Sequence, residues 1–330
     1  DALRMNMVTG NSPGNDMRFY VERCEAMRNF ANKLWNASRY VMMNLGEDAK
    51  NELPDISKLE IADKWVLSKL NTLIGEVTEN MEKYELGVAI QKIYDFIWDI
   101  YCDWYIEMTK ARLFSDDADR KQTAIGVLVY VLDNILRLLH PFMPFITEEI
   151  WQTLPHEGDA LIVAKWPEFR EELVFKTEED LMESVMSAIR AIRNRRNEMN
   201  VPPSRKAKIY VATKFPKTFE DGQAFFVKLA SASGVEVGDS FDIDGAVTIV
   251  TPDAKVYIPM DELVDKEAEL KRLNKELEQL KKRLAQSEGK LNNQGFISKA
   301  PAAVVENVRK QAEKEREQIS LITAAIDALK

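Results

Sequence analysis

Histidine and cysteine are almost missing, with two of each in 330 residues. Cys24 and Cys102 cannot build a disulfide framework or a four-cysteine zinc site. They suit a reducing compartment. His140 precedes Pro141 in an apolar stretch and reads as a helix-end residue. His156 lies in the polar loop Pro155-His156-Glu157-Gly158. Neither has a cysteine or a second histidine near enough in sequence for a zinc motif. No Ser–His–Asp set and no nucleophile elbow are legible, and there is no glycine-rich phosphate loop. The carboxylate pairs Asp116-Asp117 and Glu148-Glu149 are adjacent, so each splits to two sides and reads as capping or solvation. Gly and Pro total 25, too few for a collagen-like or low-complexity chain. No apolar run reaches about 18 residues, the length that spans a bilayer. Asp1-Ala2-Leu3-Arg4 is neither a signal peptide nor a natural start, and the chain is expected to be a piece of a longer one.

The composition that remains is globular, 45% hydrophobic and 30% charged, with two or three domains expected at this length. The net charge of −9 is uneven. Residues 184–208 carry a net of +6 and residues 263–330 a net of +3, which leaves −18 elsewhere. Two basic sectors on an acidic protein can hold a polyanion, because binding follows local potential. The plainer alternative makes them solvated helix faces.

The first half reads as helices. Met17, Tyr20, Cys24, Met27, Ala31, Leu34, Ser38, Val41 and Leu45 recur at three and four, which is one face of a long helix over 17–45. Asn29, Lys33, Asn36 and Tyr40 mark another face. The pattern repeats over 59–84 and 86–114. A fourth helix over 121–139 is apolar on most sides and should be central. It ends at His140-Pro141, and Pro144 opens another helix through Trp151. These elements make an antiparallel helical bundle.

The middle changes character. A helix over 184–199 stops at Pro202-Pro203, and short β-like runs follow at 208–212, 246–250 and 256–258, punctuated by Gly234, Gly238, Asp242 and Gly245. This is a small α+β unit. The tail has heptads: Leu263, Leu270, Leu273, Leu277, Leu280, Leu284 and Leu291, then Val305, Val308, Ala312, Ile319, Ile322, Ile326 and Leu329. The break at 289–301 favours an antiparallel coiled-coil hairpin over a parallel dimer. The fold class is therefore mainly α, with a small α+β connector.

A recognition surface replaces the missing catalytic site. Lys33, Asn36, Arg39 and Tyr40 combine cations, an amide and a ring on the first helix; Asp103 and Trp104 add an acceptor and a ring on the third. Such sets suit single-stranded RNA, where rings stack on bases and cations hold phosphates. The competing assignment places Trp35, Tyr40 and Trp104 in the bundle core.

Several segments then carry a resemblance. Asn29-Phe30-Ala31-Asn32-Lys33-Leu34-Trp35-Asn36-Ala37-Ser38-Arg39-Tyr40 resembles the first anticodon-domain helix of class I aminoacyl-tRNA synthetases of the valine, isoleucine and leucine group. The segment from His140 to Trp151 resembles a later signature of the same domain. Asp1-Ala2-Leu3-Arg4 with Gly10 to Asp16 resembles the stretch after the catalytic lysine loop. Residues 192–203 and Phe296-Ile297-Ser298-Lys299-Ala300-Pro301 are most similar to the valine members. Isoleucine enzymes often end in a cysteine-rich zinc module, and here no cysteine follows Cys102.

The resemblance implies a C-terminal fragment. Its parts would be a stem segment at 1–16, an anticodon-binding bundle at 17–168, a connector at 169–262 and a coiled-coil tRNA-binding arm at 263–330. The anticodon residues would be Lys33, Asn36, Arg39, Tyr40, Asp103 and Trp104. Arg190, Arg193 and Arg196, with Lys271, Lys275, Lys282, Arg309 and Lys310 of the arm, would hold the tRNA backbone. The arm would lean on the tRNA elbow. The implied partner is tRNA(Val), whose anticodon has a central A and a 3′ C; no DNA and no membrane are expected. The expected state is a cytoplasmic monomer, with no metal and no cofactor in the fragment. ATP would serve the full-length enzyme, through the His-Ile-Gly-His-type and Lys-Met-Ser-Lys-Ser-type sequences that this chain lacks. The fragment alone should be inactive. Two alternatives stand: an isoleucine- or leucine-type fragment, and a structural coiled-coil adaptor with a helical head.

Overall fold

The computed structural model describes residues 1–10, 16, 18–46, 50–263, 266–292 and 302–329. In the last two helices, the side chains at 266–273, 276, 302–304, 321–322 and 324–329 lie outside that description. So do Met17, most of the Gly10–Asp16 segment, the Phe296–Pro301 segment and the Lys271 side chain.

A short helix α1 (Ala2–Val8) precedes α2 (Val21–Met43). Then come α3 (Ile61–Glu82), α4 (Leu86–Asp95), a π-helical stretch (Phe96–Tyr105), α5 (Ile106–Leu113), α6 (Ala118–Leu139) and α7 (Pro144–Trp151). The apolar α6 sits at the centre, with Ala124, Val127, Val131, Leu132 and Ile135 buried. It is long and apolar enough to cross a membrane, but its apolar window lies mostly inside the bundle. Gly126 lets it approach the connection between α2 and α3: a Cβ there would stand 2.7 Å from Pro54 Cγ.

Two sequence signatures dock on each other. The Asp1 carboxylate accepts from the main-chain N–H of Phe145 (3.2 Å) and Ile146 (2.7 Å), capping α7. Arg4 donates to the carbonyls of Pro141 and Phe142. His140 is structural here: its Nδ1 lies 2.8 Å from the Thr147 hydroxyl. The His156 ring packs against Trp151.

The helix α8 (Lys176–Glu198) begins eight residues earlier than its apolar pattern predicts. Its extra turns are held by α3. Lys64 pairs with Glu178 at 3.0 Å, Lys69 pairs with Glu179 at 3.2 Å, and the Ser68 hydroxyl donates to Glu179 at 2.6 Å. The other side of α8 covers a four-stranded sheet. The strands are β1 (Ala207–Thr213), β2 (Ala232–Gly238), β3 (Ala246–Val250) and β4 (Ala254–Pro259), in the order β2-β1-β4-β3. Between β1 and β2 run α9 (Pro216–Asp221) and α10 (Gln223–Leu229). That helical crossover allows β1 and β2 to pair in parallel. Sequence patterning read Gly234 and Gly238 as punctuation; both lie inside β2, an edge strand where glycine's missing side chain costs little packing. One hydrophobic core runs from Met5 through the bundle and the sheet to Leu263.

Leu263 ends α11 (Met260–Leu263) and is buried in that core. It therefore belongs to the body rather than to a free arm. The arm consists of α12 (Lys266–Asn292) and α13 (Ala302–Leu329), which pack on each other. Only nine residues separate them, which turns the second helix back along the first. Leu280 and Ala312 are buried between them.

Candidate nucleic-acid interface

Burial of Phe30, Leu34, Ala37, Ser38 and Val41 orients α2, and it leaves Asn29, Asn32, Asn36 and Arg39 on its outer face. Among the described residues no ion pair engages Arg39. Lys33 is different. Its Nζ lies 2.6 Å from Asp103 Oδ1, donates to the Trp98 carbonyl at 3.2 Å and stands 3.7 Å above the Trp98 ring. Beneath that ring run Tyr94 and Phe30, stacked at centroid distances of 5.7 and 4.6 Å. The structure thus brings Lys33 and Asp103 together, but as mutual partners.

Tyr40 leaves the open face. It is half-buried against the core, and its hydroxyl is buried without a hydrogen-bond partner among the described residues. Burial, with Glu107 nearby, raises its pKa. Lys110 stands 5.5 Å above its ring. One turn beyond this contact, Met43 and Phe114 emerge at the same end of the bundle, 72% and 77% exposed. Sequence spacing did not single them out, since apolar residues at helix ends carry no periodic signal. Both are apolar surfaces on which an unpaired base can lie.

The π-helical stretch sets Asp103 and Trp104. Its wider winding interrupts the three-four spacing read over 86–114. Asp99 and Asp103 are exposed, while Trp104 is buried. Burial and the neighbouring Asp95 and Asp103 raise the Asp99 pKa, against the pull of Lys33 and Arg190. The Cys102 thiol is pushed up to about 12 by burial. Trp104 is covered by α8: the Arg190 and Arg193 guanidiniums stand 5.2 and 5.7 Å from its ring. Trp104 is therefore closed to a stacking base unless those arginines move.

The arginine row on α8 divides. Arg190 is exposed beside Glu183. Arg193 donates to the Leu229 carbonyl at 2.6 Å. Arg196 turns inward, away from the tRNA backbone that the resemblance has it hold. It is buried and donates to the Pro202 carbonyl at 3.2 Å and to the Arg205 carbonyl. Burial lowers its pKa. It helps to hold the turn after α8, where the main-chain N–H of Arg205 also donates to the Pro202 carbonyl at 3.0 Å.

In the arm, Lys275 and Lys282 lie seven apart on α12, and Arg309 and Lys310 on α13; all four are exposed. Arg309 stands 3.8 Å from Glu306 on its own helix. Arg316, another of the arm's cations, is spent on Glu288 across the hairpin at 2.7 Å.

Comparison with known proteins completes the description. Residues 63–211 match the family model of the anticodon-binding domain of tRNA ligases. Residues 265–330 match that of the valyl tRNA synthetase tRNA binding arm. The whole chain is 50% identical over 333 residues to the valine–tRNA ligase of Clostridium tetani. It is 44% identical over 334 residues to that of Geobacillus stearothermophilus. In both cases it spans 38% of the relative's length. Among solved structures, a LeuRS–tRNA–LeuAMS ternary complex of Agrobacterium radiobacter K84 agnB2 aligns at TM-score 0.41 and 21% identity, over 53% of this chain and 20% of that one.

Proposed function

We propose, because the chain belongs to the valine–tRNA ligase family, that it is the part of such an enzyme that grips tRNA(Val), while a portion outside this chain attaches valine using ATP. The observation that carries this reading is the exposed strip Asn32, Asn36 and Arg39 on α2, which runs to Met43 and Phe114 at one end of the bundle. The anticodon loop meets this end. Amide edges on Asn32 and Asn36 suit splayed bases, Arg39 suits a phosphate or a base edge, and the two apolar side chains suit stacking. Lys33, Asp103, Tyr40 and Trp104 support the strip from behind through the contacts described above.

The arm supplies the second contact. Exposed lysines seven apart follow a phosphate backbone without reading bases. Both contacts fall on one tRNA, as a monomer acting in the cytoplasm.

A binding titration tests the reading. The chain should bind a tRNA(Val) transcript, and replacing the central A or the 3′ C of its anticodon should weaken binding by about 1–3 kcal/mol for each base that is read. Equal affinity for every anticodon would remove the base-reading role. No RNA affinity together with concentration-dependent dimers would replace this reading with that of a structural adaptor.

A further inference from the structure

We propose that Arg205 is a positioning residue for tRNA binding: it holds the root of the arm in one orientation to the body. The inference rests on the two-contact reading above, and it concerns a residue outside both contact surfaces.

The geometry is a chain of main-chain clamps. Arg196, buried in the last turns of α8, donates to the carbonyl of Arg205. The Arg205 guanidinium reaches forward to α11. Its Nε donates to the Glu262 carbonyl at 2.6 Å and its Nη2 to the Asp261 carbonyl at 2.9 Å. The Glu262 carboxylate returns to accept from the main-chain N–H of Lys208, the second residue of β1. Leu263, the last residue of α11, is buried in the core. Three residues later α12 starts. So the final turn before the arm is tied to β1 and, through Arg196, to α8.

The same α8 carries Arg190 and Arg193 over Trp104 of the bundle. One rigid helix therefore connects the anticodon side to the arm's root. A planar fork suits the task, because a guanidinium aims two donors at neighbouring carbonyls in a fixed plane, whereas a lysine ammonium is a point charge on a flexible stem. Carbonyls at a helix C-terminus also favour a cation.

The consequence follows from effective concentration. When two sites bind one rigid ligand, the second contact gains only if the link presents it at the right place. With the root loosened, the arm samples orientations that miss the tRNA, while the anticodon contact is untouched. Arg205 thus acts on intact tRNA and not on an isolated stem-loop.

The test uses the full 330-residue chain with Arg205→Ala and Arg205→Lys. Arg205→Ala should weaken binding to intact tRNA(Val) by about tenfold, a loss in the range that broken bivalency produces. Affinity for an anticodon stem-loop should stay as in the parent chain. Arg205→Lys, keeping the charge and hydrogen-bond donors without the rigid fork, should recover part of the loss. Without RNA, small-angle scattering should show a broader distance distribution for Arg205→Ala, and amide exchange in β1 and β4 should stay slow. Unchanged scattering overturns the proposal. So does an equal loss for both RNAs, or fast exchange throughout the sheet, since Arg205 would then hold the fold rather than the arm. If the parent chain binds neither RNA but the scattering changes, the functional reading fails and the anchoring role of Arg205 stands.

Discussion

Ser287 donates a 3.0 Å hydrogen bond to Glu315 across the two arm helices, and both side chains are buried. Gln311 also donates to Glu315, at 3.2 Å. A carboxylate in a helical seam is costly unless its acceptor sites are filled. Its use is register: sliding one helix past the other by a turn leaves Glu315 facing apolar neighbours. Ser287→Ala should therefore destabilise the arm by about 1–3 kcal/mol, the cost of a buried group losing its donor. Amide exchange should quicken in α12 and α13 alone. Replacing both residues by leucine should stabilise the helices yet permit other registers, detectable as new oligomers in sedimentation.

A second buried pair supports the bundle. Asp63 is fully buried, meets Arg112 through both oxygens at 2.5 and 2.6 Å, and accepts from the Tyr105 hydroxyl at 2.7 Å. It also caps α3 through the Glu60 N–H at 3.0 Å. Removing Arg112 leaves the Asp63 charge buried without its cation, and removing Asp63 leaves Arg112 only Glu60, 3.7 Å from its Nε. Asp63→Asn or Arg112→Met should each cost about 3–5 kcal/mol in urea unfolding. The double variant should cost less than the sum of the two.

On the proposed anticodon face the two cations of α2 should behave differently. Arg39 is exposed and has no ion-pair partner among the described residues. Arg39→Ala should weaken stem-loop binding and lower the salt slope by about one if it meets a phosphate. Lys33 is already neutralised by Asp103, so Lys33→Ala should change the slope less. A larger slope change for Lys33 would mean that its ion pair opens on binding.

Truncation separates arm from body. A chain ending at Leu263 keeps that residue in the core, so it should melt as the body does in the whole chain. Affinity for intact tRNA should fall and its salt dependence should flatten, because the phosphate contacts proposed for Lys275 and Lys282 would be gone. Stem-loop affinity should hold. Equal weakening of both RNAs would assign the arm to the support of the bundle.

Stability should respond to His140. Burial lowers its pKa, against a smaller opposing influence of Glu148. The folded state therefore prefers the neutral ring. This contribution is complete above the unfolded histidine pKa of about 6.5 and is lost as pH falls from there through the lower folded pKa. His140→Asn should reduce the difference between urea midpoints measured on the two sides of that pKa. An unchanged difference would assign the acid sensitivity to carboxylates.

Helix periodicity alone located most of the bundle, because a side chain every three or four residues must be apolar to meet the core. The observed α2, α3, α6 and α7 lie within a few residues of the pattern. The first turns of α8 escaped because their partners, Lys64, Ser68 and Lys69, are polar residues more than 100 positions earlier. The β2 strand escaped because its neighbour is set by a crossover, not by its own glycine-containing sequence.

The candidate site shows the same division. Residue type and spacing placed Asn36 and Arg39 on an outer face, since exposure follows from which residues face the core. They could not show that Lys33 is held by Asp103, that Trp104 lies under Arg190 and Arg193, or that Arg196 points inward. Those outcomes depend on charges and carbonyls from distant segments, which meet only when the chain folds. The sequence by itself determined the helical character, the heptad pattern of the arm and the outward placement of Asn36 and Arg39, because each follows from local period. Tertiary structure alone decided which cations remain free for RNA, because a charge is consumed by whichever partner the fold brings within about 3 Å.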